Sequence, residues 1–397
     1  MRSGIQENPE DSGEFEDPEA KTWKERLQRN ELSLSSDRDR LPFAEFALTR
    51  VSRTFALNIR VLPLPLRHHI LYAYLYCRMA DTLEDDPLLN TAEKTRLLKI
   101  FAALFDPTAH TAFTAAESLR RAVADFQAQL PETWKTSSQW EHLLLVHAPV
   151  VVLPFLDFPT EVRSVISRCV QEMCLGMADF TAKHPQANGH NLIETLADLD
   201  LYCYYVAGTV GILLCELFIR HSGKIPLSKA QTLRSLCVSF GLGLQLTNIL
   251  KDLHDDQERD VSWLPSELLA AEHLTFEDFL HSPSATQKRN RIYSILFIKA
   301  KNHLEDALEY SCLIPRQNMR LRLFCLWPLF MAGETLALLA ESLEALVQGV
   351  RLKIPRSTVE SIVRRTRLLG WSNHWVHAEF RKPMIRLENA LQALATT

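Results

Sequence analysis

Two short acidic clusters in this sequence share one spacing of carboxylates. They are Asp81-Thr82-Leu83-Glu84-Asp85 and Asp252-Leu253-His254-Asp255-Asp256, each with acids at positions i, i+3 and i+4. On a helix this spacing places the three acids on one face. Their mutual repulsion is tolerable where that face is solvated or where a cation lies between them. One such cluster is more often a solvated helix face, whereas two together indicate a magnesium site.

Each cluster is extended by polar residues at helical spacing within an otherwise apolar helix. The two stripes are Tyr74, Arg78, Asp81 and Asp85 in the first helix and Gln245, Asn248, Asp252 and Asp255 in the second. Because a polar stripe on an apolar helix is poorly placed in a core, we expect both stripes to face a cavity.

The residue types near the clusters suit the ionisation of an organic diphosphate. Magnesium commonly uses a few carboxylates while substrate phosphate completes its coordination shell. Arg53, Arg78 and Arg259 lie near the clusters, and guanidinium groups donate forked hydrogen bonds to phosphate oxygens. Such a site would stabilise the departing pyrophosphate and leave an allylic carbocation in an apolar cavity that excludes water.

The elements that must position these residues are predicted to be helices. The chain has 397 residues but only 12 glycines, and its long Leu- and Ala-rich runs are punctuated by proline and lack the alternation of a sheet protein. We expect a polar, disordered or loosely helical leader over residues 1–40, one helical catalytic domain over 41–349, and a basic amphipathic helical extension over 350–397.

Composition argues against several other classes of protein. A formal charge of −4 and the lack of a zinc-finger or RNA-binding motif argue against nucleic-acid binding. The eight cysteines form no CxxC pair, so they are expected to be small buried hydrophobes in a reducing cytosol.

Two segments raise the question of membrane contact. The nearly uncharged run from Leu201 to Ile219 approaches the ~20 residues that span a bilayer, but Glu216 within it favours a helix buried in protein. The C-terminal extension mixes arginines with Leu and Trp, so it either rests on an anionic membrane surface or packs on the bundle. We therefore expect a cytoplasmic protein, at most peripheral to the membrane, without a transmembrane anchor.

Several ordered blocks resemble the squalene and phytoene synthase family, and its squalene synthase branch most of all. The blocks are Ser52-Arg53-Thr54-Phe55, YLYCRMADTLEDD from Tyr74, CLGMADF from Cys174, YCYYVAGTVG from Tyr202, QLTNILKDLHDDQERDVSWLP from Gln245 and FCLWPLFMAGETL from Phe324. Many relatives carry arginine where this chain has Lys251, and phytoene-type members tend to have glycine at Asp260. These departures favour bacterial-type squalene synthases over the phytoene branch.

The resemblance implies an all-α fold of the class I isoprenoid (terpenoid) synthase type, a helical bundle around one central cavity with the acidic motifs on opposite walls. It implies a magnesium-dependent farnesyl-diphosphate farnesyltransferase. Such an enzyme joins two farnesyl diphosphates head to head through presqualene diphosphate, and NADPH reduction gives squalene. Two alternatives remain open: a non-reductive relative that makes dehydrosqualene, phytoene or hydroxysqualene, and a non-catalytic isoprenoid-binding protein.

The resemblance also implies roles for individual residues. The metal ligands would come from Asp81, Glu84, Asp85, Asn248, Asp252, Asp255 and Asp256. Substrate would be bound by Ser52, Arg53, Phe55, Tyr74, Arg78, Val206, Val210, Gln245, Asn248, Lys251, Arg259 and Phe324. Tyr202, together with Asp81, Asp85, Asp252 and Asp256, would be catalytic, through proton transfer or stabilisation of a cation by Tyr202. No GxGxxG motif follows a strand, so the sequence gives no sign of a Rossmann nucleotide site. The candidate NADPH contacts are Lys353 and Arg356. The alternative for these two residues is a basic surface patch.

Overall fold

The computed structural model describes residues 22, 23, 26, 37–106, 115–131, 139–183, 191–223, 225–257 and 261–396. The helices in the first half of the chain are α1 (Asp37–Val51), α2 (Arg53–Arg60), α3 (Leu66–Asp85), α4 (Thr91–Ala103), α5 (Ala115–Gln127), α6 (Gln139–Val146), α7 (Ala148–Val152) and α8 (Thr160–Lys183). Those in the second half are α9 (Leu196–Cys203), α10 (Thr209–Ser222), α11 (Leu227–Gln257), α12 (Ser266–Ala271), α13 (Phe276–His281), α14 (Thr286–Leu313), α15 (Met319–Glu341), α16 (Leu343–Val347), α17 (Arg356–Leu369) and α18 (Asn373–Thr396). Short 3-10 turns lie at Leu153–Asp157 and Pro283–Ala285.

The predicted all-helical architecture is confirmed, with one small addition. Strands β1 (Asn191–Leu192) and β2 (Val261–Ser262) pair in parallel, and these are the only strands in the described ranges. They join the segment that precedes α9 to the segment that follows α11.

Local capping fixes where the helices near the acidic clusters begin. Asn90 and Glu93 form a capping box at the start of α4, directly after the first cluster. Thr195 and Asp198 form another at the start of α9. In each box a side chain accepts a hydrogen bond from a backbone N–H that has no partner within the helix. The starting positions of α4 and α9 are therefore set by residues adjacent to them in sequence.

Helix α11 runs through the centre of the bundle, where it packs most extensively on α14 and also on α10. Glycine permits the close approach of α10 and α11. A Cβ atom at Gly211 would lie 2.1 Å from the carbonyl oxygen of Cys237, and one at Gly241 would lie 2.2 Å from that of Ala207. No larger side chain fits between these backbones.

A π-helical turn at Tyr204–Gly208 separates α9 from α10. Such a turn inserts an extra residue and shifts the phase of the helix. In a regular α-helix Tyr202, Val206 and Val210, at positions i, i+4 and i+8, would share one face. In the structure Tyr202 and Val206 line one cavity between the helices, whereas Val210 is not among the residues that line it.

The two ends of the chain pack on the bundle where they are described. Trp23, within the predicted leader, is 7% exposed and lies with its ring centroid 5.7 Å from that of Phe46; the rest of the leader before residue 37, apart from residues 22 and 26, lies outside the described residues. Helix α18 packs on α14 and α15. The extension therefore packs on the bundle, although Leu368 and Trp371 remain 68% and 53% exposed.

Among the residues that the structure describes, three helical stretches are long and apolar enough to cross a membrane. They are Leu196–Ser222, Leu227–His254 and Met319–Glu341. In the most apolar 18 residues of each stretch, 50%, 56% and 83% respectively are buried inside the protein. A fourth arises if the two arms bent by 76° at Trp140–Val146 and Ala148–Asp157 count as one span.

Polar and sulfur-containing side chains in the bundle are accommodated by the packing. Within the first of these stretches Glu216 pairs with Arg234, whose Nε and Nη2 lie 2.6 and 3.1 Å from the carboxylate oxygens. All eight cysteines are free and buried, as predicted.

Candidate active site

One cavity of about 660 Å³ lies where α3, α9, the π-helical turn and α11 meet. It is called the central cavity here. Its lining includes the predicted site residues Arg78, Asp81, Glu84, Asp85, Tyr202, Val206, Gln245, Asn248, Lys251, Asp252 and Asp256. The two acidic clusters, about 170 residues apart in sequence, thus supply carboxylates to one cavity.

The first acidic wall is the C-terminal end of α3. Burial raises the pKa of Asp81 to about 7, because Arg78 opposes the shift only in part and Asp85 adds like charge. Burial, with the charges of Asp85 and Asp81, also raises the pKa of Glu84 well above its usual value. The negative charge of this wall is therefore not balanced by its neighbours, which is what we expect of a site that binds a cation.

Arg78 is held among polar groups at the edge of this wall. Its Nη1 lies 3.8 Å from Oδ2 of Asp81 and 3.7 Å from Oε1 of Glu141. Its Nη2 donates to the Tyr74 hydroxyl at 3.4 Å. The guanidinium is therefore oriented from several sides before any ligand binds.

The second acidic wall is the C-terminal end of α11. Asp252 lies 3.1 Å from Nζ of Lys251, and Asp256 is 6% exposed. The side chain of Asp255 and the whole of Arg259 lie outside the described residues.

Two further cations line the central cavity and were missed from the sequence. Lys94 of α4 is 7% exposed, and its charge favours the ionised form of Glu84. Arg351 reaches the cavity from the segment between α16 and α17. A signal for Lys94 was present, since it stands at i−3 and i−4 to Leu97 and Leu98 on the buried face of α4. The sequence contains no comparable signal for Arg351.

An aromatic wall adjoins the first acidic cluster. Tyr202 and Trp263 stack with ring centroids 3.6 Å apart and planes inclined by 15°, and the ring of Phe180 lies 5.2 Å from that of Tyr202. Burial raises the pKa of the Tyr202 hydroxyl well above its usual value. A hydrogen bond from Tyr202 favours the ionised form of Glu84. Tyr202 therefore keeps its proton and directs it towards an acid.

Other predicted site residues do not line the central cavity in the described structure. Phe55 and Tyr74 pack on each other with their ring centroids 5.0 Å apart, and the Tyr74 hydroxyl accepts the hydrogen bond from Arg78. Ser52 caps α2 by accepting a hydrogen bond from the Phe55 N–H at 3.2 Å. Phe324 is buried with its ring edge-on to Phe218 at 5.6 Å.

The remaining predicted contacts are at the surface or outside the described side chains. Lys353 is exposed, and Arg356, whose side chain is 93% exposed, pairs with Glu360. The side chain of Arg53 lies outside the described residues.

The residues around the central cavity fit magnesium better than a softer metal. Five described carboxylates line it, with no cysteine or histidine among the lining residues. Carboxylate oxygens are ligands of hard cations. In the described ranges no three His, Cys, Asp or Glu side chains are grouped closely enough to hold one metal ion. This arrangement suits magnesium bound by one or two carboxylates with phosphate completing the shell.

Comparison with known proteins gives one consistent result. Residues 48–358 match the family described as squalene/phytoene synthase. The squalene synthase of Schizosaccharomyces pombe is 30% identical over 307 residues, which cover 77% of this chain and 61% of the relative. That of Rattus norvegicus is 30% identical over 314 residues, or 79% and 65%. The chain therefore spans somewhat less than two thirds of the length of these relatives.

A solved structure shows the same fold. TcSQS in complex with the ligand E5700 matches with a TM-score of 0.71 at 23% identity, covering 90% of this chain and 96% of that one. The predicted helical isoprenoid synthase fold is confirmed by this match.

Proposed function

Because this chain belongs to the squalene/phytoene synthase family, we propose that it condenses two farnesyl diphosphates head to head, through presqualene diphosphate, and reduces the product to squalene with NADPH. The observation that carries the proposal is the convergence of both acidic clusters on one cavity beside an aromatic wall. Ionisation of an allylic diphosphate needs both parts, an anchor for pyrophosphate and a dry surface for the carbocation.

The proposed magnesium ligands are the carboxylates of both acidic walls. Asp81, Glu84 and Asp85 would act from α3, and Asp252 and Asp256 from α11. Asn248 and Asp255 complete the proposed set. Bound magnesium would neutralise the diphosphate and stabilise the charge that develops on the leaving pyrophosphate.

The cations of the central cavity bind and orient the phosphates. Arg78 offers a guanidinium already held by Tyr74 and Asp81, and Lys251, Lys94 and Arg351 add charge on other sides. Fixed cations of this kind need no reorganisation as the leaving group gains charge. Ser52, Arg53, Gln245, Asn248 and Arg259 are further proposed diphosphate contacts.

The aromatic wall protects and stabilises the carbocation. The rings of Tyr202 and Phe180 line the central cavity, where they exclude water and attract positive charge through their quadrupoles. The phenolic oxygen of Tyr202 holds a proton beside Glu84, where it can assist transfer to departing pyrophosphate. Val206 adds apolar surface from the π-helical turn. Phe55, Tyr74, Val210 and Phe324 remain proposed pocket residues that would act from behind the described lining.

The reductive step requires NADPH to reach the central cavity at its edge. Arg351 lines the central cavity, and Lys353 follows two residues later in the same segment. We propose Lys353 and Arg356 as contacts for the nucleotide phosphates, because both are exposed cations close in sequence to that edge.

Peripheral membrane association fits the chemistry of the substrate and product, since farnesyl chains and squalene partition into lipid. Leu368 and Trp371 are exposed at the turn between α17 and α18, and Arg364 and Arg367 flank them. An apolar tip with a basic border favours an anionic membrane surface. We place the protein in the cytoplasm with this turn against the bilayer.

The test is incubation of purified protein with farnesyl diphosphate and magnesium, with and without NADPH, followed by mass spectrometry of the hydrocarbons. Squalene formed only with NADPH supports the proposal. Dehydrosqualene or an alcohol formed irrespective of NADPH would indicate a non-reductive relative. No consumption of farnesyl diphosphate or of its C20 homologue would indicate a binding protein without catalysis.

A further inference from the structure

The segment that follows the second acidic cluster folds back onto the residue beside the first. Trp263 lies seven residues after Asp256 in sequence. Its indole nevertheless covers the ring of Tyr202 at 3.6 Å, nearly parallel, and lies 6.1 Å from that of Phe180. Since all three rings line the central cavity, Trp263 forms part of the cavity wall as well as the support of Tyr202.

Trp263 is held in place by the backbone on both sides. β2 ends one residue before it and pairs in parallel with β1. Just after it, the Ser266 N–H donates to the Ile193 carbonyl at 2.8 Å, and the Glu267 N–H donates to the Glu194 carbonyl at 3.0 Å. Segments 191–194 and 261–267 are thus joined on both sides of the indole.

The same contact region also fixes the start of the helix that carries Tyr202. The Leu196 N–H donates to Glu267 Oε1 at 2.5 Å, and Leu196 is the first residue of α9. The positions of Tyr202 and Trp263 are therefore set by one set of hydrogen bonds, although Trp263 follows Tyr202 by 61 positions in the sequence.

We propose that Trp263 is a positioning residue for the reaction, which holds the Tyr202 phenol at the edge of the first acidic cluster. The inference rests on the proposed function and adds a residue to it. A phenol that can rotate about its side-chain bonds would point at Glu84 for only part of the time. The stacked indole restricts that rotation, because it lies in contact with one face of the phenol ring and fills the space into which that ring would turn.

The experiment is a double-mutant cycle in steady-state turnover of farnesyl diphosphate with magnesium and NADPH. The variants are Trp263→Leu, Tyr202→Phe and the double variant, with Trp263→Phe as the conservative change. We expect Trp263→Leu to lower kcat about tenfold or more, with KM changed less than about threefold, since positioning acts after the substrate binds. We expect Trp263→Phe to retain most of the activity, because it keeps a flat ring face.

The cycle separates positioning from packing. If Trp263 acts through the Tyr202 hydroxyl, Trp263→Leu should lower kcat little further once Tyr202 is phenylalanine. Additive losses in the cycle would overturn the inference, as would an unchanged kcat in Trp263→Leu. Trp375→Leu is the matched control, since this half-buried indole packs on Phe330 outside the central cavity; it should lower stability without changing kcat.

Folding of each variant is checked by thermal unfolding before kinetics. If Trp263→Leu does not fold, the cycle is run with Trp263→Phe and Trp263→Met, and the same non-additivity is required. The wild-type protein decides the proposed function in the same assay. If the wild type turns over farnesyl diphosphate and the Trp263→Leu variant does so equally well, only this inference is overturned. An inactive wild type would overturn both.

Discussion

The guanidinium of Arg78 lies 3.8 Å from the carboxylate of Asp81, one turn away on the same helix. This contact does not offset the cost of burying the acid, because the pKa of Asp81 still rises to about 7. The charge of Arg78 is also shared with Glu141, at 3.7 Å. The first acidic wall therefore keeps a need for positive charge, which the proposed magnesium would meet.

Loss of two carboxylates from this wall should abolish turnover. The double variant Asp81→Asn with Asp85→Asn keeps the side-chain volumes but removes charge from the proposed metal ligands. We expect kcat/KM for farnesyl diphosphate to fall by about 1,000-fold or more, since a single preorganised electrostatic contact is commonly worth 100-fold or more. The measurement is release of pyrophosphate.

The matched control is Glu117→Gln with Asp125→Asn, two exposed acids on α5. It should leave turnover unchanged. Wild-type activity in the Asp81/Asp85 variant would refute the metal site and favour a binding role.

Magnesium binding should strengthen as the pH rises towards 7. Asp81 and Glu84 have raised pKa values in the folded protein, so protons compete with the metal for these oxygens. We expect the affinity for magnesium pyrophosphate to increase by up to about tenfold per pH unit below pH 7. Calorimetry at pH 6, 7 and 8 measures it. Asp81→Asn is the control that reports the protonation of pyrophosphate itself, and an equal pH dependence in that variant would contradict the prediction.

The stability of the metal-free protein should change with pH in the opposite direction. An acid whose pKa is raised by folding binds more protons in the folded state than in the unfolded state. Its contribution to the free energy of unfolding therefore decreases as the pH rises from the unfolded pKa, 3.8 for Asp81, to about 7. The measurement is urea unfolding at pH 6 and pH 8. Between these two pH values the free energy of unfolding should decrease less in Asp81→Asn than in the wild type.

Among the described charged side chains, the buried Arg322 should be the one whose replacement lowers the free energy of unfolding most. It is fully buried and donates to the carbonyls of Ile314 at 2.8 Å, Gly370 at 3.0 Å and Cys312 at 3.2 Å. Arg322→Met removes the donor to the Ile314 and Gly370 carbonyls, whereas the Cys312 carbonyl keeps a hydrogen bond from Asn373 Nδ2. The substitution should lower the free energy of unfolding by about 3 kcal/mol or more. Urea unfolding measures the difference. Arg320→Met, at an exposed position two residues away, should change it by less than about 0.5 kcal/mol.

The proposed nucleotide contacts can be separated from the condensation step. Lys353→Ala with Arg356→Ala should raise the KM for NADPH by about tenfold, the equivalent of roughly 1.4 kcal/mol of lost phosphate contact. Consumption of farnesyl diphosphate without NADPH should not change. Lys382→Ala, at an exposed lysine on α18, is the control. An unchanged KM for NADPH would assign these two cations to the surface.

The sequence was most informative where local periodicity decides the outcome. The spacing of Asp81, Glu84 and Asp85 predicts one helical face, and the structure places all three along the same cavity. In the polar stripe of α11, Gln245 and Asp252 also line this cavity. A helix has a fixed number of residues per turn, so the residues on its cavity-facing side can be read from sequence alone.

Tertiary structure decided what lies opposite those faces. The stacking of Trp263 on Tyr202, the entry of Lys94 and Arg351 into the central cavity and the burial of Phe324 away from it depend on segments far apart in sequence. The π-helical turn at Tyr204–Gly208, which contains Val206 and precedes Val210, is not predicted by any simple sequence repeat. Which side chains meet across a cavity is set by the packing of whole helices, through close approaches such as that of Gly211 to Cys237, and no local spacing records that packing.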